Sequence, residues 1–158
     1  MNQEYFSVAL SPDLNLAIPL DSMGRVIQVE INDICTIPGV ADFWYGAIAF
    51  KGSLLWVLDS DRYFNLGNQK QRHQKKITAV IVKEQQGESS ARVALTTPKL
   101  EGIIALEPVS AKQLDREPES TLNMCCSGSI EDKARHTFIL NPSKLLQQLH
   151  QTSDLVSA

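Results

Sequence analysis

The sequence predicts a mainly β fold, a barrel or a pair of packed barrels rather than a parallel sheet. About nine short runs of apolar or alternating residues follow one another, each bounded by turn residues. Several of these runs are separated only by tight polar turns, the spacing of antiparallel hairpins. Two short helices accompany these runs, and no internal repeat is present.

Tyr5–Leu10 and Leu14–Leu20 read as strands around a Ser11-Pro12-Asp13 turn. Asp21–Gly24 reads as a turn or one helical turn. Arg25–Ile31 alternates Val26, Gln28 and Glu30 with Ile27, Val29 and Ile31, which suits a strand with one buried face. Ile34 and Ile37 anchor the following loop. Ala47–Phe50 and Ser53–Leu58 then form a hairpin across Lys51–Gly52, because glycine supplies the positive φ that such a turn needs. Asp59 is placed to cap a short helix or turn through Phe64. Gly67–Lys76 is a polar, basic connection with no interleaved aromatics, as expected of a solvated loop.

Ile77–Val82 and Arg92–Thr97 form a second strand pair across a polar loop containing Gln85-Gln86-Gly87-Glu88, and Pro98 ends that ladder. Leu100–Leu106 is a further strand. Pro108–Thr121 reads as irregular, with one helical turn near Ala111–Leu114, and Thr121–Ile130 is ambiguous. His136–Leu140 is the last strand. Asn141-Pro142 starts a helix, with asparagine at the cap and proline at the first helical position. Leu145, Leu146 and Leu149 share one face of it. Ser153–Ala158 is expected to fray.

At 158 residues the chain suffices for one domain. A chain of this size buries roughly 70% of its unfolded surface and needs no metal or disulfide staple. A net charge of −3 gives no concentrated basic face for nucleic acid. The cysteines are Cys35 and the adjacent pair Cys125 and Cys126, an odd set that fits a reducing compartment. No apolar run approaches the roughly 20 residues that span a bilayer. The first residues lack the basic and apolar regions of a secretory signal. A cytoplasmic protein without direct membrane insertion is the expectation.

The sequence offers no catalytic constellation. There is no Gly-x-Ser-x-Gly elbow, and Ser127-Gly128-Ser129 reads as a turn. Nothing near Cys125 and Cys126 in sequence lowers a thiol pKa. His73, His136 and His150 are widely separated and no Cys-x-x-Cys occurs, so no metal site is expected. No glycine-rich phosphate loop enters a helix, so no cofactor is expected either. The remaining function is an interaction surface. Phe43, Trp44 and Tyr45 form an aromatic run beside Gly46; either strand alternation leaves one of the three rings exposed as an anchor, or all three close the barrel end.

The stretch Ile37–Phe64 resembles the core signature of CheW-like coupling domains. That signature is an Ile-Pro pair, then Gly-apolar-Asn-Leu-Arg-Gly and an apolar strand ending in Val-Asp-Leu. Ile37, Pro38, Gly46, Gly52 and Asp59 stand at the matching positions. HTFILNPSKLL, from His136 to Leu146, resembles the family's final strand and leucine-bearing helix. The resemblance implies one CheW-like domain over residues 1–158, with a core from 5 to 149 and a tail at 151–158. Its implied fold is two small five-stranded SH3-like β-barrels packed together, with a short C-terminal helix.

The resemblance also implies a non-catalytic adaptor joining the cytoplasmic tip of a chemoreceptor to a CheA-like histidine kinase. Such a protein serves chemotaxis, phototaxis or type IV pilus motility and is recruited to membrane-associated receptor arrays. The partner surface expected from it comprises Phe43, Trp44, Tyr45, Gly46, Lys51, Gly52, Trp56 and Asp59. Departures bear on partner choice: Lys51 replaces the usual arginine and loses its planar fork. Gln28 stands for the usual acidic residue, Trp56 for a proline, Ser60 for a leucine, and Thr97-Pro98 for Val-Asp. Two other readings are a small-ligand sensor using the inter-barrel groove, and a degenerate adaptor that binds one partner.

Overall fold

Among the described residues, ten strands form two five-stranded sheets, each ordered so that the chain visits the first, builds the whole of the second, and returns. The computed structural model describes residues 3–67, 74–86, 89–107, 120–132 and 135–154. The strands are β1 (Gln3–Ser11), β2 (Leu14–Pro19), β3 (Met23–Glu30), β4 (Trp44–Phe50), β5 (Ser53–Leu58), β6 (Lys76–Gln86), β7 (Ser89–Thr96), β8 (Lys99–Leu106), β9 (Cys126–Asp132) and β10 (Arg135–Leu140). The terminal sheet runs β8-β1-β2-β10-β9 and the central sheet β3-β6-β7-β5-β4. Among the described residues three α-helices join them: α1 (Ser60–Tyr63), α2 (Thr121–Cys125) and α3 (Pro142–Asp154). The mainly β class, the two five-stranded units and the C-terminal helix are all as the sequence implies.

Alternation explains how both faces of each sheet are used. Val8, Leu10, Leu16 and Ile18 from the terminal sheet meet Leu58, Val80, Val82, Val93 and Leu95 from the central sheet, and Leu145, Leu146 and Leu149 of α3 join them. The opposite faces carry smaller clusters: Leu55, Val57, Ala79, Ile81 and Ala94 in the central sheet, Tyr5, Ala17 and Ile139 in the terminal one. Each sheet therefore encloses a cluster of its own and shares a larger one. The space between the sheets is filled with side chains.

Local chemistry sets the elements. Lys51 and Gly52 both have positive φ (49° and 79°), as a two-residue hairpin with the right-handed strand twist requires. Asp59 caps α1, its Oδ1 accepting from Arg62 N at 3.3 Å. Asn141 caps α3, its Oδ1 accepting from Lys144 N at 3.2 Å.

Three local readings are corrected and one open reading is resolved. The ladder of β6 and β7 continues to Gln86 opposite Ser89, so Gln85 and Gln86 are strand; backbone pairing persists past the buried part. Thr121–Ile130 divides into α2, capped by Ser120, and the start of β9. Ser127-Gly128-Ser129 lies within β9, paired with β10, and is not a turn. Ile31 opens a 3₁₀ turn over Ile31–Asp33 instead of ending β3. The helical turn expected near Ala111–Leu114 lies outside the described residues.

Candidate partner-binding site

The site is built on β4 and β5, which pair antiparallel with Ala47 opposite Trp56 and Ile48 opposite Leu55. On β5, Leu55 and Val57 turn into the central sheet's own cluster, while Leu54, Trp56 and Leu58 share the other face. That face is graded: Leu58 is fully buried in the inter-sheet core, Trp56 is half-buried, and Leu54 is 66% exposed.

A β-bulge sets the aromatic run. The β4–β5 register shifts between Trp44 and Gly46, and Gly46 has φ 140°. The extra residue turns Tyr45 toward the central sheet's cluster with Ile48 and Phe50, and leaves Trp44 on the face of Trp56. The Trp44 and Trp56 rings lie 5.3 Å apart and Phe43 lies 5.4 Å from Trp44. Phe43 also meets Tyr63 of α1 edge-on at 4.9 Å. All three residues of the run are half-buried, so the expectation of one exposed ring is corrected. Alternation alone assumed a regular strand, and the bulge breaks it.

Gly46 is buried because of its neighbour. Cys35 and Ala47 exchange backbone hydrogen bonds at 2.9 and 3.0 Å, and a Cβ on Gly46 would lie 2.2 Å from Cys35 O. Asp59 is buried as well, holding the cap and lying 3.9 Å from Arg62. Burial raises its carboxyl above the usual range, opposed by the hydrogen bond from Arg62 N. Burial, then the nearby Asp59 and Asp61 charges, push the Tyr45 hydroxyl up to about 12. Burial likewise pushes both Cys125 and Cys126 thiols up, and Cys125 Sγ lies 3.6 Å from Tyr63 OH. Both thiols are held in the protonated, unreactive form.

The hairpin tip is different. Lys51 and Gly52 are exposed, and the Lys51 ammonium and the Arg92 guanidinium each stand 5.6 Å from the Phe50 ring centre. Arg92 also donates to Ser53 Oγ. Thus the structure brings Phe43, Trp44 and Trp56 together on one face. It puts Lys51 and Gly52 at the tip, turns Tyr45 to the opposite side, and buries Gly46 and Asp59.

An open groove of about 640 Å³ runs along this face, between β5 and β7 on one side and α3 on the other. Trp44, Leu54, Trp56, Arg92, Leu146 and Leu149 are among its lining residues. Leu54 and Arg92 were not among the residues singled out from the sequence. The adjacent Leu54-Leu55 pair in a strand was the available signal, since neighbouring residues of a strand face opposite ways. Among the described residues, no group of three or more His, Cys, Asp or Glu side chains is placed to hold a metal ion. No described helix is long and apolar enough to cross a membrane.

The family model for the CheW-like domain matches residues 4–150. The crystal structure of the scaffolding protein TtCheW from Thermoanaerobacter tengcongensis matches with a TM-score of 0.72 and 16% sequence identity. The match covers 89% of this chain and 90% of that one, a likeness of fold. No curated protein matches the sequence.

Proposed function

Because the chain belongs to the CheW-like domain family, we propose that it is a non-catalytic adaptor coupling the cytoplasmic tip of a chemoreceptor to a CheA-like histidine kinase. The pathway is chemotaxis, phototaxis or type IV pilus motility, at membrane-associated receptor arrays. The observation that carries the reading is the graded face of β5. It passes from the fully buried Leu58 through Trp56 to the exposed Leu54, and so offers an apolar anchor fixed to a rigid core. Arg92 and Lys51 at its end add charge that selects partners more than it adds affinity. Two surfaces of roughly 800 Å² each fit on a body of two sheets.

The test is binding of the full chain to a CheA-like kinase and to a receptor cytoplasmic fragment, singly and together. The expected result is a ternary complex that Leu54→Asp weakens by about tenfold or more toward one partner, a loss of roughly 1.4 kcal/mol. Thermal stability of that variant should stay within about 0.5 kcal/mol, because Leu54 lies outside the core. Binding to neither partner would overturn the adaptor reading. Wild-type affinity of Leu54→Asp for both would remove this face from it.

A further inference from the structure

Strand β6 breaks its own pattern where it meets α3. Its alternate residues Val80 and Val82 lie in the inter-sheet core, together with their cross-strand partners Leu95 and Val93. The next residue on that face is Glu84, opposite Ala91, where the alternation calls for an apolar side chain. Glu84 Oε1 accepts from the Ser143 hydroxyl in the first turn of α3. Its Oε2 is shut off from solvent and, among the described residues, has no hydrogen-bond partner. For stability alone this is a costly arrangement, because a buried oxygen without a partner loses its hydration and an apolar side chain would not. What the carboxylate adds is direction: a hydrogen bond holds one geometry, whereas apolar contact tolerates several.

Ser143 stands at the head of one wall of the groove. Ser143, Leu146 and His150 follow at helical spacing along one side of α3, and Leu146 and His150 line the groove. Ala91, opposite Glu84, lines the facing wall with Arg92 and Val93. The bond between Glu84 and Ser143 therefore ties the helix that carries one wall to the strand beside the other. We infer that Glu84 is a positioning residue for the groove: by accepting the Ser143 hydroxyl it fixes how far α3 stands from β7, and so holds the groove at the width its occupant needs. A site held ready in this way binds more tightly because less ordering is left to be done on association. The part in recognition rests on the adaptor reading, and the width of the groove does not.

The molecule carries its own probe, since both of its tryptophans, Trp44 and Trp56, line this groove. Acrylamide quenching and the emission maximum of the native full chain report on the groove without any partner. Glu84→Leu and Ser143→Ala each remove the bond, and each should raise the quenching constant and shift the emission to longer wavelength. Each should also weaken the partner that Leu54→Asp affects, by about fivefold, and the double variant should do no more than either single one because the same bond is lost. Glu84→Gln keeps an acceptor oxygen and should restore both the quenching and the affinity of the wild type. Unchanged quenching and emission in both single variants, whatever their stability, overturn the proposal. So do additive effects in the double variant, or a Glu84→Gln that behaves like Glu84→Leu. If the wild-type chain binds neither kinase nor receptor, the adaptor reading falls, and the quenching comparison still decides whether Glu84 sets the groove.

Discussion

The two ends of the β4–β5 hairpin are built by opposite rules. At its base the chain is closely packed and hydrogen-bonded: Gly46 lies against the Cys35 carbonyl, Asp59 caps α1, and Ser60 N donates to Thr96 Oγ1 at 3.0 Å. At its tip Lys51 takes a left-handed backbone conformation that disfavours any residue with a Cβ, and Leu54 stands in solvent. The residues that carry the family signature are thus of two kinds. Some make the hairpin, and others are presented by it. A signature read from sequence merges the two, and burial separates them.

The sharpest test of this division uses one substitution at two places. Gly46→Ala forces a Cβ into backbone at a strained φ, and should cost about 3 kcal/mol, the sum of conformational strain and overpacking. Gly52→Ala meets nothing within 4 Å and pays only for its positive φ, about 1 kcal/mol. Urea unfolding of both variants checks it, and equal losses would erase the contrast between base and tip.

The base can be probed without touching a glycine. Only Val57–Ala94 and Leu58–Leu95 pair where β5 runs parallel to β7, and the Thr96 side chain extends that short contact. Its Oγ1 donates to Leu58 O at 2.8 Å and accepts from Ser60 N. Thr96→Val keeps the shape and strand preference but leaves both buried groups without that partner, so a loss of about 2 kcal/mol is expected. Unfolding midpoints measure it, and a neutral result would mean that the base is held by packing alone.

What was legible in the sequence follows the range of the interactions. The β4–β5 turn, the Asp59 and Asn141 caps and the leucine face of α3 are set by residues within a few positions, and each stands where the pattern put it. β9 was missed because Ser127-Gly128-Ser129 carries turn chemistry. It is strand only because β10 holds it, and β10 is held in turn by parallel pairing with β2 near the other end of the chain. The orientation of Tyr45 was missed for a related reason. The bulge is imposed by the Cys35 bridge to Ala47, a contact outside the hairpin. At the partner face, Leu54 and Leu55 look alike in sequence, and only the register decides which one reaches solvent.

The smallest effect is the most telling about the tip. Lysine at the first turn position is poor turn chemistry, since a two-residue hairpin of this geometry prefers Asn-Gly. Lys51→Asn should therefore stabilise the fold, by about 0.5 kcal/mol, the low end of backbone gains at compatible sites. It also removes the ammonium above Phe50 and leaves Arg92 as the remaining cation known to lie there. If the tip selects partners, a variant that folds better should bind less well, with the loss largest at low salt because the missing term is electrostatic. Measuring stability and kinase or receptor affinity on the same preparation separates the outcomes. A gain in stability with affinity unchanged at every ionic strength would make Lys51 an imperfect turn residue without a role in recognition.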